Sequence, residues 1–287
     1  MPTLGAFPYD LNHLLGGATR VLYTPITTAI PSGPSQIFSQ TYPYNPVGAA
    51  YVTTDVAPAG TAITVNDAST LPATPFALQS ALQSGDISVT AKTGNSLTVT
   101  GVTAALPAGT FLHTADGWRD FGATREAFVY GRNLAATGYQ IQQVSADILE
   151  EVTDTQRTAA VSIAEIRPET LAIMEEGLIG TADSGAYDAV AYGSIHDLTQ
   201  YRIAYAARRN KQSGIVTETS GGRARGRFVV GLGFRAQLSA DNVQMNIAKG
   251  ELSSATVTFR FFPETTGAQA EGTEFGKWFT ERVRTIP

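Results

Sequence analysis

The longest alternating row in the chain runs through Phe228, Val230, Leu232, Phe234, Ala236 and Leu238. Spacing of two residues sends one set of side chains to one face of a strand and the intervening set to the other. Three more rows obey the same rule. Tyr201, Ile203 and Tyr205 alternate with Arg202, Ala204 and Ala206; Val243, Met245 and Ile247 alternate with Asn242, Gln244 and Asn246; Ala255, Val257, Phe259 and Phe261 oppose Thr256, Thr258 and Arg260. Each row predicts a strand with one face on a core and the other left for solvent or a neighbour. Upstream, residues 18–26 (ATRVLYTPI), 125–132 (REAFVYGR), 139–149 and 158–166 also read as strands, the third alternating poorly.

Helical spacing occurs once, in residues 168–176 (PETLAIMEE). Pro168 suits the first helical position, where its missing N–H costs nothing, and Glu169 complements the positive helix end. Leu171, Met174 and Leu178 fall on one side. Gly177 fits a left-handed C-cap, with Ile173 and Leu178 spaced for the accompanying apolar contact.

Sequence texture divides the rest. Pro31, Pro34, Pro43 and Pro46 forbid a helix or central strand, so this stretch reads as an arm or loop laid over a surface. Residues 49–116 carry short alternating pieces with few charges: Ile63 and Val65, Ile87 and Val89, Leu97 and Val99, the last two pairs joined by a Thr93-Gly94-Asn95 turn. Strand-forming sequence of a different texture flanks this segment on both sides. We therefore expect residues 1–48 to hold an arm and a first strand, 49–116 an inserted small β-domain, and 117–287 the main core. The expected fold class is mainly β, an antiparallel sandwich or open barrel with one short packed helix, plus a small all-β insertion.

Composition narrows the function classes. A chain of 287 residues can bury one sizeable core, or a core plus a small module. Charged residues make up only 16%, which suits a β protein partly covered by copies of itself better than a freely soluble enzyme. The net charge of −5 supplies no global basic field for nucleic acid or an anionic membrane. Cysteine is absent, and His13, His113 and His196 lack ligand-like spacing, so no metal or thiol site is read. The N-terminal residues lack a basic segment and an uninterrupted apolar run, and no signal peptide or membrane span is expected.

No catalytic or cofactor-binding residue is read either. Glu150-Glu151 and Glu175-Glu176 are adjacent pairs, whose side chains diverge on a strand or a helix and so read as surface charge. Gly231-Leu232-Gly233 lies within a strand row, where it marks close backbone approach or a bulge rather than a dinucleotide site. No nucleophile elbow or Walker-type phosphate loop is present.

Charge is instead segregated along the chain. Residues 147–183 hold nine acids, among them Asp147, Glu150, Glu151 and Asp154, against Arg157 and Arg167. Residues 202–235 hold eight bases, Arg202, Arg208, Arg209, Lys211, Arg223, Arg225, Arg227 and Arg235, against Glu218. Two readings stand: independently solvated faces, or complementarity between copies, the acids of one subunit meeting the 208–227 basic loop of the next. The Arg223-Ala-Arg225-Gly-Arg227 run also suggests phosphate binding, but aromatic interleaving is missing.

The order of parts carries a resemblance. GWRDFGAT, then a strand, a long polar loop segment over 142–158, the strand–helix unit SIAEIRPETLAIMEEG and a final TVTFRFFPE together resemble the major tail tube protein of long non-contractile-tailed (siphovirus-type) bacteriophages. The match is best over 117–265 and weak in the N-terminal arm. Residues 49–116 depart from a minimal tube protein and resemble a small β-module recurrent in phage tail and fibre proteins.

The resemblance assigns Trp118, Asp120 and Gly122 to a motif leading into the first core strand. It assigns Pro168, Leu171, Met174 and Gly177 to a bracing helix, and residues 142–158 to an inter-ring segment. It implies a virion tail protein, assembled in the bacterial host cytoplasm into stacked hexameric rings. The inner strands of those rings would join into a barrel that conducts double-stranded DNA, with a tape-measure protein and a tail terminator as further partners. DNA must slide through such a channel, so the Arg202 to Arg235 cluster is expected mostly at subunit or ring interfaces, away from the lumen. Alternatives are a tail terminator or head–tail connector ring, or a host-surface glycan-binding module built on 49–116. The insertion's sparse aromatics, Tyr51, Phe76 and Phe111, are poor material for the last. A hydrolytic enzyme ranks behind all of these.

Overall fold

The computed structural model describes residues 15–39, 45–121, 124, 129–139, 149–164, 168–175, 179–182, 187–190, 198–209, 228–246, 254–264 and 273–280. Along the chain these form β1 (Leu15–Pro25), a 3-10 turn (Pro34–Gln36), β2 (Ala49–Tyr51), β3 (Ala62–Thr64), β4 (Phe76–Ser80), β5 (Gln83–Thr93), β6 (Ser96–Thr100), β7 (Phe111–His113) and β8 (Arg119–Asp120). They continue with β9 (Val129–Tyr139), β10 (Leu149–Ile163), α1 (Pro168–Met174), β11 (Ile179–Ala182), β12 (Tyr187–Val190), β13 (Gln200–Arg209), β14 (Phe228–Asn246), β15 (Ser254–Phe262) and β16 (Gly276–Thr280). The fold is mainly β, antiparallel throughout, with a large curled sheet and one short helix.

The large sheet has the order β8-β1-β13-β14-β15-β10-β9, and β16 pairs with β14. Over β1, β13 and β14 both faces are buried, beyond the expectation of one buried face per strand, whereas β15 keeps it, with Thr256 and Arg260 exposed and Val257 and Phe259 buried. One face gathers Val21, Tyr23, Phe121, Ala159, Val161, Ile203, Tyr205, Phe259 and Phe261. The other gathers Leu22, Ala204, Ala206, Val230, Leu232 and Phe234 under Ile37, Phe38 and Trp118. The proline-punctuated arm therefore covers the sheet's second face, paired only with itself through the isolated Phe38–Pro46 bridge among the described residues.

A bulge decides how the longest alternating row is used. The β13–β14 register slips between Tyr201, opposite Ala236, and Ile203, opposite Gly233, leaving one extra residue on β14. Alternation inverts there. Val230, Leu232 and Phe234 serve one core, while Ala236 and Leu238 serve the other. Arg202 stands at the slip. It is 5% exposed, donates from Nη1 to the Phe234 carbonyl at 2.6 Å, and pairs with Glu264 at 2.8 Å. The guanidinium also donates to the Thr28 carbonyl from Nε. Arg202 is thus an internal strut and not the interface residue expected of the basic cluster.

The polar segment over 142–158 is not a loop throughout. From Leu149 it belongs to β10, which pairs with β9 from Leu149↔Tyr139 to Ala160↔Val129. A ladder partner carries these residues into a strand that their own alternation does not announce. Helix α1 starts at Pro168 as expected, but its buried residues are Thr170, Ile173 and Met174, with Leu171 only half-buried.

Residues 49–113 form a second sheet, in the order β2-β7-β4-β5-β6-β3. A Val52↔Val65 bridge joins its two ends, with Thr53 N–H donating to the Thr64 carbonyl at 2.8 Å and Asn66 N–H to the Tyr51 carbonyl at 2.9 Å. The sheet is therefore a closed barrel, filled by Ile63, Val65, Leu78, Ile87, Val89, Leu97, Val99, Leu106 and Leu112. The Lys92 ammonium ties down a crossing loop by donating to the Ala68 and Leu71 carbonyls, both at 3.0 Å. Gly94, at φ +58°, makes the β5–β6 turn.

The barrel's chain enters and leaves side by side. Thr114 N–H donates to the Gly48 carbonyl at 2.8 Å, and Trp118 N–H to the Val47 carbonyl at 2.9 Å. A Cβ on Gly117 would sit 2.4 Å from the Gly48 oxygen, so only glycine permits this two-chain neck.

Candidate assembly surface

The anticipated assembly residues divide three ways. Asp147, Gly122, Gly177, Arg223, Arg225 and Arg227 lie outside the described residues. Glu150, Glu151 and Asp154 lie on β10, opposite Gly138, Thr137 and Ala135 of β9. Arg208 and Arg209 end β13, opposite Phe228 and Leu15. The registers put these acids and bases at the same end of the large sheet. Three strand steps separate β10 from β13, however, about 14 Å of backbone. The ladder does not bring the two sets together within one chain.

Trp118 is 2% exposed and belongs to the second core, and Asp120 binds Arg20 Nε at 2.6 Å across the sheet edge. Both anchor β8 against β1 and are structural.

What the sheet does assemble at its acidic end is an aromatic recess. Strand β15 stops at Phe262; the chain returns at Glu274, whose carbonyl accepts from Glu264 N–H at 2.8 Å, and β16 then continues beside β14. This brings Tyr130 of β9, Arg157 of β10, Tyr205 of β13, Phe261 of β15 and Trp278 of β16 around one hollow, with Phe275 at its side. Tyr130 and Tyr205 each meet the Trp278 ring edge-on, with centroids 5.5 and 5.0 Å away. The glycines of β14 make room for the rings. A Cβ on Gly231 would fall 2.0 Å from the Tyr205 ring, and one on Gly233 would fall 2.2 Å from Phe261. Burial, and then the neighbouring Tyr130, raises the Tyr205 hydroxyl far above the usual tyrosine range, so it stays neutral despite Arg157.

The charge in this hollow is unbalanced. Arg157 lies directly opposite Arg132 in the β9–β10 ladder. Like charges so placed destabilise a sheet by roughly 0.2–1 kcal/mol. Arg157 Nη1 donates to the Tyr130 hydroxyl at 3.3 Å, and the guanidinium lies over Phe275 at 5.1 Å. Its Nε is buried without an acceptor, a state that costs about 1–3 kcal/mol. Glu274 also has a buried carboxylate oxygen without a partner, yet forms no ion pair with Arg157. Arg132 is exposed and, among the described residues, makes no hydrogen bond or ion pair.

Apolar surface is exposed in the same place. Leu134, on the same face of β9 as Tyr130 and Arg132, is 47% exposed, and Trp278 of β16 is 51% exposed; Val129, 60% exposed, lies on the opposite face of β9. Strand β9 ends the sheet order, and among the described strands β16 pairs only with β14. Sequence reasoning passed over this site because its parts come from five strands spread over 149 positions, from Tyr130 to Trp278. The available signal was Arg157, an isolated base within an acidic stretch.

Among the described residues no group of three or more histidine, aspartate or glutamate side chains is placed to hold a metal ion, and no helix is long and apolar enough to cross a membrane. No known family profile and no curated protein matches the chain.

Proposed function

We propose that this chain is a structural subunit that associates with copies of itself, and that it serves as a ring-forming tail tube protein of a long-tailed bacteriophage. The observation that carries the self-association is the unfinished edge of the large sheet. Here Leu134 and Trp278, two of the exposed large apolar side chains of the described residues, lie beside unbalanced arginines. An open edge of this kind invites pairing with another chain unless something covers it, and closure around a ring removes it. The phage assignment rests on the order of sequence parts from the Trp118 motif through α1 to the last core strands. In this reading the rings stack into a tube of the virion tail, DNA passes through it, and a tape-measure protein and a tail terminator are its further partners. The closed barrel of residues 49–113 presents no comparable edge and is a decoration or spacer on this assembly. Negative-stain microscopy of the purified full chain tests the reading. Rings and stacked tubes are expected; a protein that stays monomeric at every concentration would overturn it.

A further inference from the structure

We propose that the Arg132–Arg157 recess is a seat for the acidic end of the β9–β10 ribbon of a second copy of this chain, the segment bearing Glu150 and Glu151. This rests on the self-association reading and names the contact that would carry it.

Three observations converge on it. First, the ribbon is polar along its length. Arg132 and Arg157 face each other towards one end, while Glu150 and Glu151 pair with Gly138 and Thr137 nearer the other. The base of the ribbon is cationic, and its tip is anionic. Second, the two ends of the ribbon are far apart. Glu150 and Glu151 lie seven and six residues from Arg157 along one extended strand, about 20 Å of backbone. Third, the seat is built before anything occupies it. Arg157 is held over Phe275 and against Tyr130, with its Nε buried and lacking an acceptor, and Trp278 and Leu134 leave apolar surface bare alongside.

A small anion fits the site poorly. The hollow leaves room for about one water molecule, and such a ligand would leave Trp278 and Leu134 uncovered. A ribbon laid across the surface supplies carboxylates for the guanidinium groups and covers the apolar shoulder together. Carboxylate–guanidinium pairs are the strong, directional choice for such a contact. The surface that gives differs from the surface that receives, so the contact is heterologous and propagates from copy to copy, as a ring or stack requires.

Charge exchange in the full chain tests this. Arg132 is exposed, so Arg132→Glu leaves the fold intact, which far-ultraviolet circular dichroism checks. Sedimentation velocity should show association weakened by about tenfold or more for Arg132→Glu, and likewise for Glu150→Arg with Glu151→Arg. Combining all three changes should restore most of it. The chain has two tryptophans, and Trp118 is already buried, so a blue shift of emission on assembly would report Trp278 becoming covered. A wild-type chain that assembles while every variant assembles equally well, with no change in emission, overturns this inference and leaves self-association standing. So does a triple variant no better than its parents. A wild-type chain that never associates overturns both.

Discussion

The two sheets solve the same problem in opposite ways. In the small barrel the ends meet through Val52 and Val65, and the apolar rows of its six strands point inward. In the large sheet β9 ends the order, and Val129, Leu134 and Trp278 remain exposed at that side. A closed sheet has no edge to offer, whereas an open one of this size needs a cover. The barrel therefore reads as a self-sufficient passenger, and the large sheet as the part that needs a partner. The neck at Gly48 and Gly117 keeps the two cores distinct while holding the barrel's chain ends together.

If the cores are independent, substitutions should act on one and spare the other. The largest effect is expected from Arg202→Met, which removes the 2.8 Å ion pair to the buried Glu264 carboxylate. Loss of about 3–5 kcal/mol from the large sheet should appear in urea unfolding, with the barrel's transition unmoved. Adding Glu264→Leu should recover much of it. If the single change instead shifted both transitions equally, the two cores would be one cooperative unit. Leu97→Ala, at a fully buried position in the barrel, should cost about 3 kcal/mol in the barrel's transition alone.

Acid should sharpen the same division. Burial, and next the positive charge of Arg119, lowers the His113 pKa from 6.5 to about 4. Between those values the unfolded chain takes up a proton that the folded barrel refuses. Barrel stability is therefore full above pH 6.5 and falls as the pH drops towards 4, by about 3 kcal/mol in all. His113→Gln should flatten this slope, which unfolding curves across that range would read; an unchanged slope would place the acid sensitivity elsewhere. The smallest effect is expected from Trp278→Ala. Loss of its ring contacts with Tyr130 and Tyr205 should change subunit stability by only about 1 kcal/mol while association weakens markedly.

Much of the architecture was legible in alternation. The rows at Tyr201–Tyr205 and Ala255–Phe261, the β5–β6 hairpin around Gly94, and the helix at Pro168 all lie where local pattern puts them. Local pattern could not show the bulge opposite Arg202, because a one-residue slip depends on the partner strand and not on the strand itself. It equally missed β2, β4 and β7. These are short strands that carry no β-branched row of their own and are held by their partners, β2 by β7 and β4 by β5 and β7. Residues 149–158 looked like a loop since polar side chains suit a ribbon that extends past the core. The recess was invisible for a related reason. Tyr130, Arg157, Tyr205 and Trp278 become neighbours only once β16 takes over from β15 beside β14.

The contrast between closed barrel and open sheet is tested most directly by amide hydrogen exchange on the full chain, free and assembled. Protection should rise in β9 and β16 on assembly, while amides of β2 to β7 exchange at unchanged rates. New protection confined to the barrel, with β9 and β16 unaltered, would contradict the account.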